Sequence, residues 1–119
     1  MREVRESTFT SHDGTRLFYR HWPAAGPTDK AIVLFHRGHE HSGRLQHIVD
    51  ELGLDDFACF AWDARGHGKS PGARGDSPGL AASVKDMDVF IRHVGEESGI
   101  PLANIVVLVV LLRHGWRDA

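Results

Sequence analysis

Two loops concentrate the residue types that do chemistry. The first, His36-Arg37-Gly38-His39-Glu40-His41-Ser42-Gly43-Arg44, holds three histidines in six residues, with His47 close behind. Three chemistries fit such a loop. A metal site is one, but a helix-borne zinc motif needs H-E-x-x-H, and Gly43 stands where the second histidine belongs. Glu40 is the one clear carboxylate there and no cysteine set accompanies it, so neither a metal nor a cofactor is expected. A polar loop whose histidines bond backbone groups is the second. An oxyanion loop is the third, in which glycine lets backbone N–H groups point at developing negative charge. The other loop is Asp63-Ala64-Arg65-Gly66-His67-Gly68-Lys69-Ser70. Its end resembles a phosphate-binding G-x-x-x-x-G-K-S, but Asp63 occupies the place of the first glycine. Pro71-Gly72 also opposes the helix that must begin at the Lys-Ser pair. A structural role suits this stretch better. Gly66 and Gly68 permit a sharp turn, and Asp63 or Arg65 can tie it down by hydrogen bonds and ion pairing.

Each loop follows an apolar run. Ala31 to Phe35 leads into the first and Phe57 to Trp62 into the second. Short apolar runs bounded by turn signals read as buried strands of a parallel sheet. Open α/β sheets bind ligands just beyond the carboxyl ends of such strands. Before them, Ser7–Thr10 and Arg16–Trp22 read as a hairpin, with Asp13-Gly14 supplying a type I′ turn. Between and after them, two helices are expected, at about 44–52 and 80–97. Leu45, Ile48, Val49 and Leu52 form the apolar face of the first. Leu80, Val84, Met87, Ile91 and Val94 form that of the second, leaving Lys85, Asp86, Asp88 and Arg92 to water. Asn104–Leu112 is the last strand. The class is therefore α/β, a mainly parallel sheet with an antiparallel N-terminal hairpin.

Composition agrees with one domain. The chain has 119 residues, 41% of them hydrophobic and 25% charged. A net charge of −2 gives no argument for nucleic acid. The single cysteine, Cys59, lies inside a strand, which suggests a small core residue and a reducing, cytoplasmic location. No apolar h-region marks a signal peptide at the N-terminus. Ile105–Leu112 is far too short to span a membrane, so no transmembrane segment is expected.

The two loops also carry a resemblance. His36-x-Gly38-x-Glu40-His41-Ser42-Gly43-Arg44 resembles the H-G-x-G-E-H-S-x-R loop of the α/β-hydrolase superfamily. Asp63-x-Arg65-Gly66-His67-Gly68-x-Ser70 is similar to its D-x-R-G-H-G-x-S loop, and Ser70-x-Gly72-x-Arg74-Gly75 extends the match. The branch is that of monoacylglycerol lipases, lysophospholipases and serine aminopeptidase-like hydrolases, and the likeness runs over about residues 6 to 108. It implies a serine hydrolase of carboxylic esters, acting on a small acyl-ester substrate without a cofactor. It assigns the Gly38 N–H as an oxyanion donor. It makes His36, Arg37, His39, Glu40, Asp63, Arg65, Gly66, His67, Gly68 and Ser70 the residues that shape the site. Arg37 and His39 stand where that family has glycines.

One part of the pattern departs. In this fold the strand at Ile105–Val110 should run into G-x-S-x-G. Here it runs into Leu111-Leu112-Arg113-His114-Gly115-Trp116, and no serine follows Ser98. His114 sits at the elbow's place, not where a base belongs. The sequence therefore reads as the N-terminal half of an α/β-hydrolase, lacking the catalytic Ser, Asp and His and inactive alone. Residues 109–119 read as a tail from a shifted reading frame. The alternative is a non-catalytic α/β fragment that binds a partner, or itself, through an open edge strand.

Overall fold

The computed structural model describes residues 2–36, 42–72 and 79–110. The hairpin is β1 (Arg5–Thr10) and β2 (Arg16–Trp22), paired antiparallel from Arg5↔His21 to Thr10↔Arg16. Then follow β3 (Ala31–His36), a short 3-10 turn at Ser42–Leu45, α1 (Gln46–Leu52) and β4 (Ala58–Trp62). The chain continues through α2 (Leu80–Ser98) and a 3-10 turn at Leu102–Asn104 to β5 (Ile105–Val110). The sheet order is β1-β2-β4-β3-β5, with β3 parallel to both β4 and β5 and β2 antiparallel to β4. This is the mixed, mainly parallel sheet that the alternation of strands and helices implies.

β3 carries only apolar residues before His36, and all six of its residues are buried. That is the signature of a strand covered on both faces. The period of two splits each central strand between two cores. On one face Val33, Phe35, Phe60 and Trp62 join Phe9, Leu17 and Tyr19 from the hairpin, beneath Phe90 and Val94 of α2. Phe90 lies within 4.9 to 6.1 Å, centroid to centroid, of the rings of Phe9, Tyr19, Phe35 and Trp62. On the other face Ile32, Leu34, Cys59 and Ala61 join Trp22 beneath Leu45 and Val49. Cys59 is a buried core residue, as its place in a strand suggests, and burial pushes its thiol pKa up.

Three expectations need correction. The hairpin turn is not type I′, because that turn needs positive φ at both central residues and only Gly14 (φ 85°) has it. Instead the Gly14 N–H donates to the Ser11 carbonyl and the Ser11 N–H to the Thr15 carbonyl. This is a three-residue loop whose last position is left-handed, which glycine alone adopts freely. The buried face of α2 is also turned from the expected one. Val84 is 53% exposed, whereas Asp86 is 1% exposed and shares the inner face with Phe90 and Val94. Positions 86, 90 and 94 follow the i, i+4 row, and Asp86 can join it because it is fully paired, as described below. Finally, Leu52, in the last turn of α1 before the left-handed Gly53, is 38% exposed.

Among the described residues, β5 pairs on one side, with β3. Val106, Val107, Leu108 and Val109 are each at least 36% exposed. Residues 111 and 112, the expected end of this strand, lie outside the described part. Among the described residues, no helix is long and apolar enough to cross a membrane.

One histidine makes the fold pH-sensitive. His21 stacks on Phe60, centroids 4.3 Å apart and 8° from parallel. Burial lowers its pKa, and Arg5 and Arg2 lower it further. The folded state then binds fewer protons than the unfolded one, so stability falls as pH drops below about 6.5. The loss of melting temperature between about pH 7.5 and 5.5 should be smaller in His21→Gln than in the parent. Equal losses in the two proteins would remove His21 as a source.

Candidate active site at the carboxyl edge of the sheet

Because β3 and β4 are neighbours and parallel, their carboxyl ends meet at one edge. The last paired positions are Leu34 and Ala61. Two residues further on each strand stand His36 and Asp63. His36 is buried, and its Nε2 accepts a hydrogen bond from the Ala64 N–H at 3.3 Å. An accepting Nε2 carries no proton, so the neutral ring holds its proton on Nδ1. The His67 ring lies beside it, centroids 5.8 Å apart. The starts of the two sequence-predicted loops are thus in contact. Arg37, Gly38, His39 and Glu40 lie outside the described residues, as do Arg74 and Gly75.

The turn from Asp63 to Ser70 is built from its own residues. Asp63 is 1% exposed, and its Oδ2 accepts the Lys69 N–H at 2.9 Å. The Ser70 hydroxyl donates to the Asp63 carbonyl and accepts the Phe18 N–H at 2.9 Å. The Asp63 N–H in turn donates to the Phe18 carbonyl at 2.8 Å. These two side chains close the turn and fasten it to β2. Gly66 (φ 74°) and Gly68 (φ 51°) take left-handed conformations that side chains disfavour. Gly72 (φ 123°) shares this constraint and adds a second, since a Cβ there would lie 2.9 Å from the Gly66 nitrogen.

This construction excludes the phosphate-loop reading. A phosphate cradle presents its backbone N–H groups to the ligand. Here the N–H groups of Gly66, His67 and Ser70 donate to carbonyls within residues 64–71, and that of Lys69 to Asp63. The Lys69 ammonium reaches Glu6 at 3.2 Å and lies over the Phe18 ring. No helix starts at Lys69-Ser70.

Arg65 is the outward anchor of the turn. Its Nε and Nη2 donate to the two carboxylate oxygens of Asp86, at 2.8 and 3.0 Å. Nη1 donates to Thr15 Oγ1 at 3.0 Å and Nη2 also to Asp13 Oδ1 at 2.8 Å. The Arg65 hydrogen bond holds the Asp13 carboxyl well below the usual carboxylate range, helped by the Thr15 N–H. The Asp86 hydrogen bond, followed by that of Asp13, raises the Arg65 pKa further. Asp86 Oδ1 accepts from the Ser11 hydroxyl as well, with His12 Nε2 at 3.2 Å. Ser11, His12 and Asp86 match a catalytic triad by type but not by geometry. The hydroxyl and the imidazole both face one carboxylate oxygen, whereas a nucleophile must bond to its base.

Arg65 is the tie its place in the turn suggests, whereas Asp86, expected to face water, is buried. The available signal was spacing, since Asp86 falls four residues before Phe90 and eight before Val94. An acid on an apolar row needs a buried cation, and Arg65 supplies it.

Residues 26–108 match the serine aminopeptidase (S33) family model. The chain belongs to this family of α/β-hydrolases. The chain is similar to the Escherichia coli K12 protein YnbC, 62% identical over 104 residues. That match covers 87% of this chain and 18% of YnbC. Human monoglyceride lipase is 38% identical over 82 residues, covering 69% of this chain and 25% of the lipase. The crystal structure of a soluble variant of monoglyceride lipase from Saccharomyces cerevisiae superposes with a TM-score of 0.65 at 21% identity. It covers 92% of this chain and 35% of that one, and shows a common fold. The chain therefore spans about a fifth to a third of the length of these three proteins.

The Ser70 hydroxyl both closes the turn and satisfies a buried strand amide. Ser70→Ala should lower the unfolding free energy by about 1–3 kcal/mol, because the Phe18 N–H then stays buried without its acceptor. Urea titration followed by circular dichroism measures this. A loss below about 0.5 kcal/mol, the range of ordinary surface changes, would contradict the role.

Proposed function

We propose that this chain forms the oxyanion side of a carboxylic-ester hydrolase acting on monoacylglycerols or lysophospholipids. The reaction is attack by a serine, an acyl-enzyme, then hydrolysis by water. The observation that carries the reading is the Ala64 N–H bond to His36 Nε2, which joins the first residue of one motif to the start of the other at one sheet edge. In this reading the Gly38 N–H donates to the developing oxyanion. Arg37, His39 and Glu40 shape the same loop, while Asp63, Arg65, Gly66, His67, Gly68 and Ser70 form the wall beside it. The identity to human monoglyceride lipase supports an ester substrate. No G-x-S-x-G follows β5 and Ser98 is the last serine, so the 119-residue domain by itself is proposed not to turn esters over.

Two measurements test this. The chain alone should show no labelling by a fluorophosphonate probe and no hydrolysis of a monoacylglycerol; labelling would overturn the inactivity proposal. A chimera should then be made in which the matching 104 residues of YnbC are replaced by those of this chain. It is expected to hydrolyse monoacylglycerol or lysophospholipid. Gly38→Pro, which removes the N–H, should lower its kcat by about 10²–10³-fold with KM nearly kept. If the chimera folds and neither it nor YnbC cleaves either lipid, the ester reading is refuted.

The exposed β5 favours a second reading, in which the chain binds a partner or a second copy through that strand. Sedimentation of the isolated chain discriminates. Self-association is expected at micromolar concentration, and a monodisperse monomer would count against it.

A further inference from the structure

We propose that Asp86 is a positioning residue of the carboxyl-edge site, acting through Arg65 on the turn Asp63–Ser70. The inference rests on the reading of this edge as the hydrolase site, and concerns a residue on a helix outside both motif loops.

The turn needs support from outside itself. Two of its eight residues are left-handed glycines, which leave the unfolded chain many alternatives. Its internal bonds, among them the Gly66 N–H to the Pro71 carbonyl and the His67 N–H to the Ala64 carbonyl, shape the turn, and Arg65 ties its outer arc, Ala64 to Gly68, to the helix and the hairpin. Arg65 sits in that arc. All three of its guanidinium nitrogens donate, two of them as a fork onto Asp86. The acceptors belong to rigid parts. Asp86 is 1% exposed, one turn before Phe90 in the core helix. Asp13 is held in the hairpin by the Thr15 N–H at 3.1 Å. The guanidinium is thereby clamped between helix and hairpin.

The clamp reaches the site through the backbone of Arg65. Its carbonyl bonds to His67 Nδ1 at 2.8 Å, and the His67 ring stands beside His36. The next residue back, Ala64, supplies the N–H held by His36. Displacing the Arg65 side chain therefore moves two groups that lie against His36, the residue from which the first loop departs. Lysine cannot replace it, because an ammonium is a point charge and makes no planar fork.

Hydrogen–deuterium exchange read by mass spectrometry on the 119-residue chain tests this. Arg65→Lys keeps the charge and loses the fork, and Asp86→Asn keeps the shape and loses the charge. Val94→Ala, on the same helix but in the apolar core, is the control. In the first two variants the peptide 63–72 should exchange at least about tenfold faster while 31–36 stays native. The control should speed both peptides together. A positioning role is overturned if Arg65→Lys leaves 63–72 unchanged. It is equally overturned if both peptides rise together in the first two variants, as in the control, since the clasp then only stabilises the fold. Should Asp86→Asn fail to fold, Arg65→Lys decides; failure of both would assign the pair to folding and refute the proposal. No ester turnover is read, so the hydrolase reading and this one fail separately.

Discussion

The parallel ladder of β3 on β4 sets Ala31 against Ala58 and Leu34 against Ala61, and everything at the carboxyl edge follows from that register. A shift by one residue would turn each apolar set to the other face. Here it would exchange Val33 and Phe35, which meet α2, with Ile32 and Leu34, which meet α1. It would also separate His36 from Ala64, because their contact depends on both strands ending together. The small residues Ala31, Ala58 and Ala61 allow this close central packing, and the large ones, Phe35, Phe60 and Trp62, fill the space below α2.

Around this ladder the polar groups are organised by burial. Asp63, Asp86 and Ser11 are buried, and each is held by bonds that recover its hydration. The two aspartates do different things. Asp63 bonds within its own turn, so it shapes backbone. Asp86 bonds across the molecule to Arg65, so it joins a helix, a hairpin and a turn that are far apart in sequence. A pair of this kind, a buried carboxylate held by a partly exposed arginine, gives little net stability when formed. It therefore specifies an arrangement more than it strengthens one. A second arginine does similar work at the opposite end of the sheet. Arg2 donates to the carbonyls of Pro23 and Phe57, closing the start of β4 onto the end of β2.

The edge strand contrasts with this satisfied interior. β5 is as apolar as β3, yet four of its residues are exposed, because among the described strands it lies at the edge of the sheet. β3 and β5 have similar compositions, and their positions in the sheet order alone separate a core strand from an open one. Such an edge carries no charged residue to discourage pairing with another chain.

Periodicity and punctuation in the sequence determined the strands, both helices, the parallel crossovers and the two loops, because those features depend on local residue order. The α/β-hydrolase family was legible for the same reason, since its two motifs are contiguous. The turn type was not, because Asp-Gly serves both a two-residue and a three-residue loop and only the strand register chooses between them. The inner face of α2 was not either. Counting apolar residues places Val84 inside and Asp86 outside, and that count is overturned by a single long-range partner. Arg65 and Asp86 are 21 residues apart, and Arg65 and Asp13 are 52 apart. No local pattern encodes such pairings. Tertiary structure alone decides them, because the free energy of burying a carboxylate depends on whether a cation arrives from elsewhere in the chain.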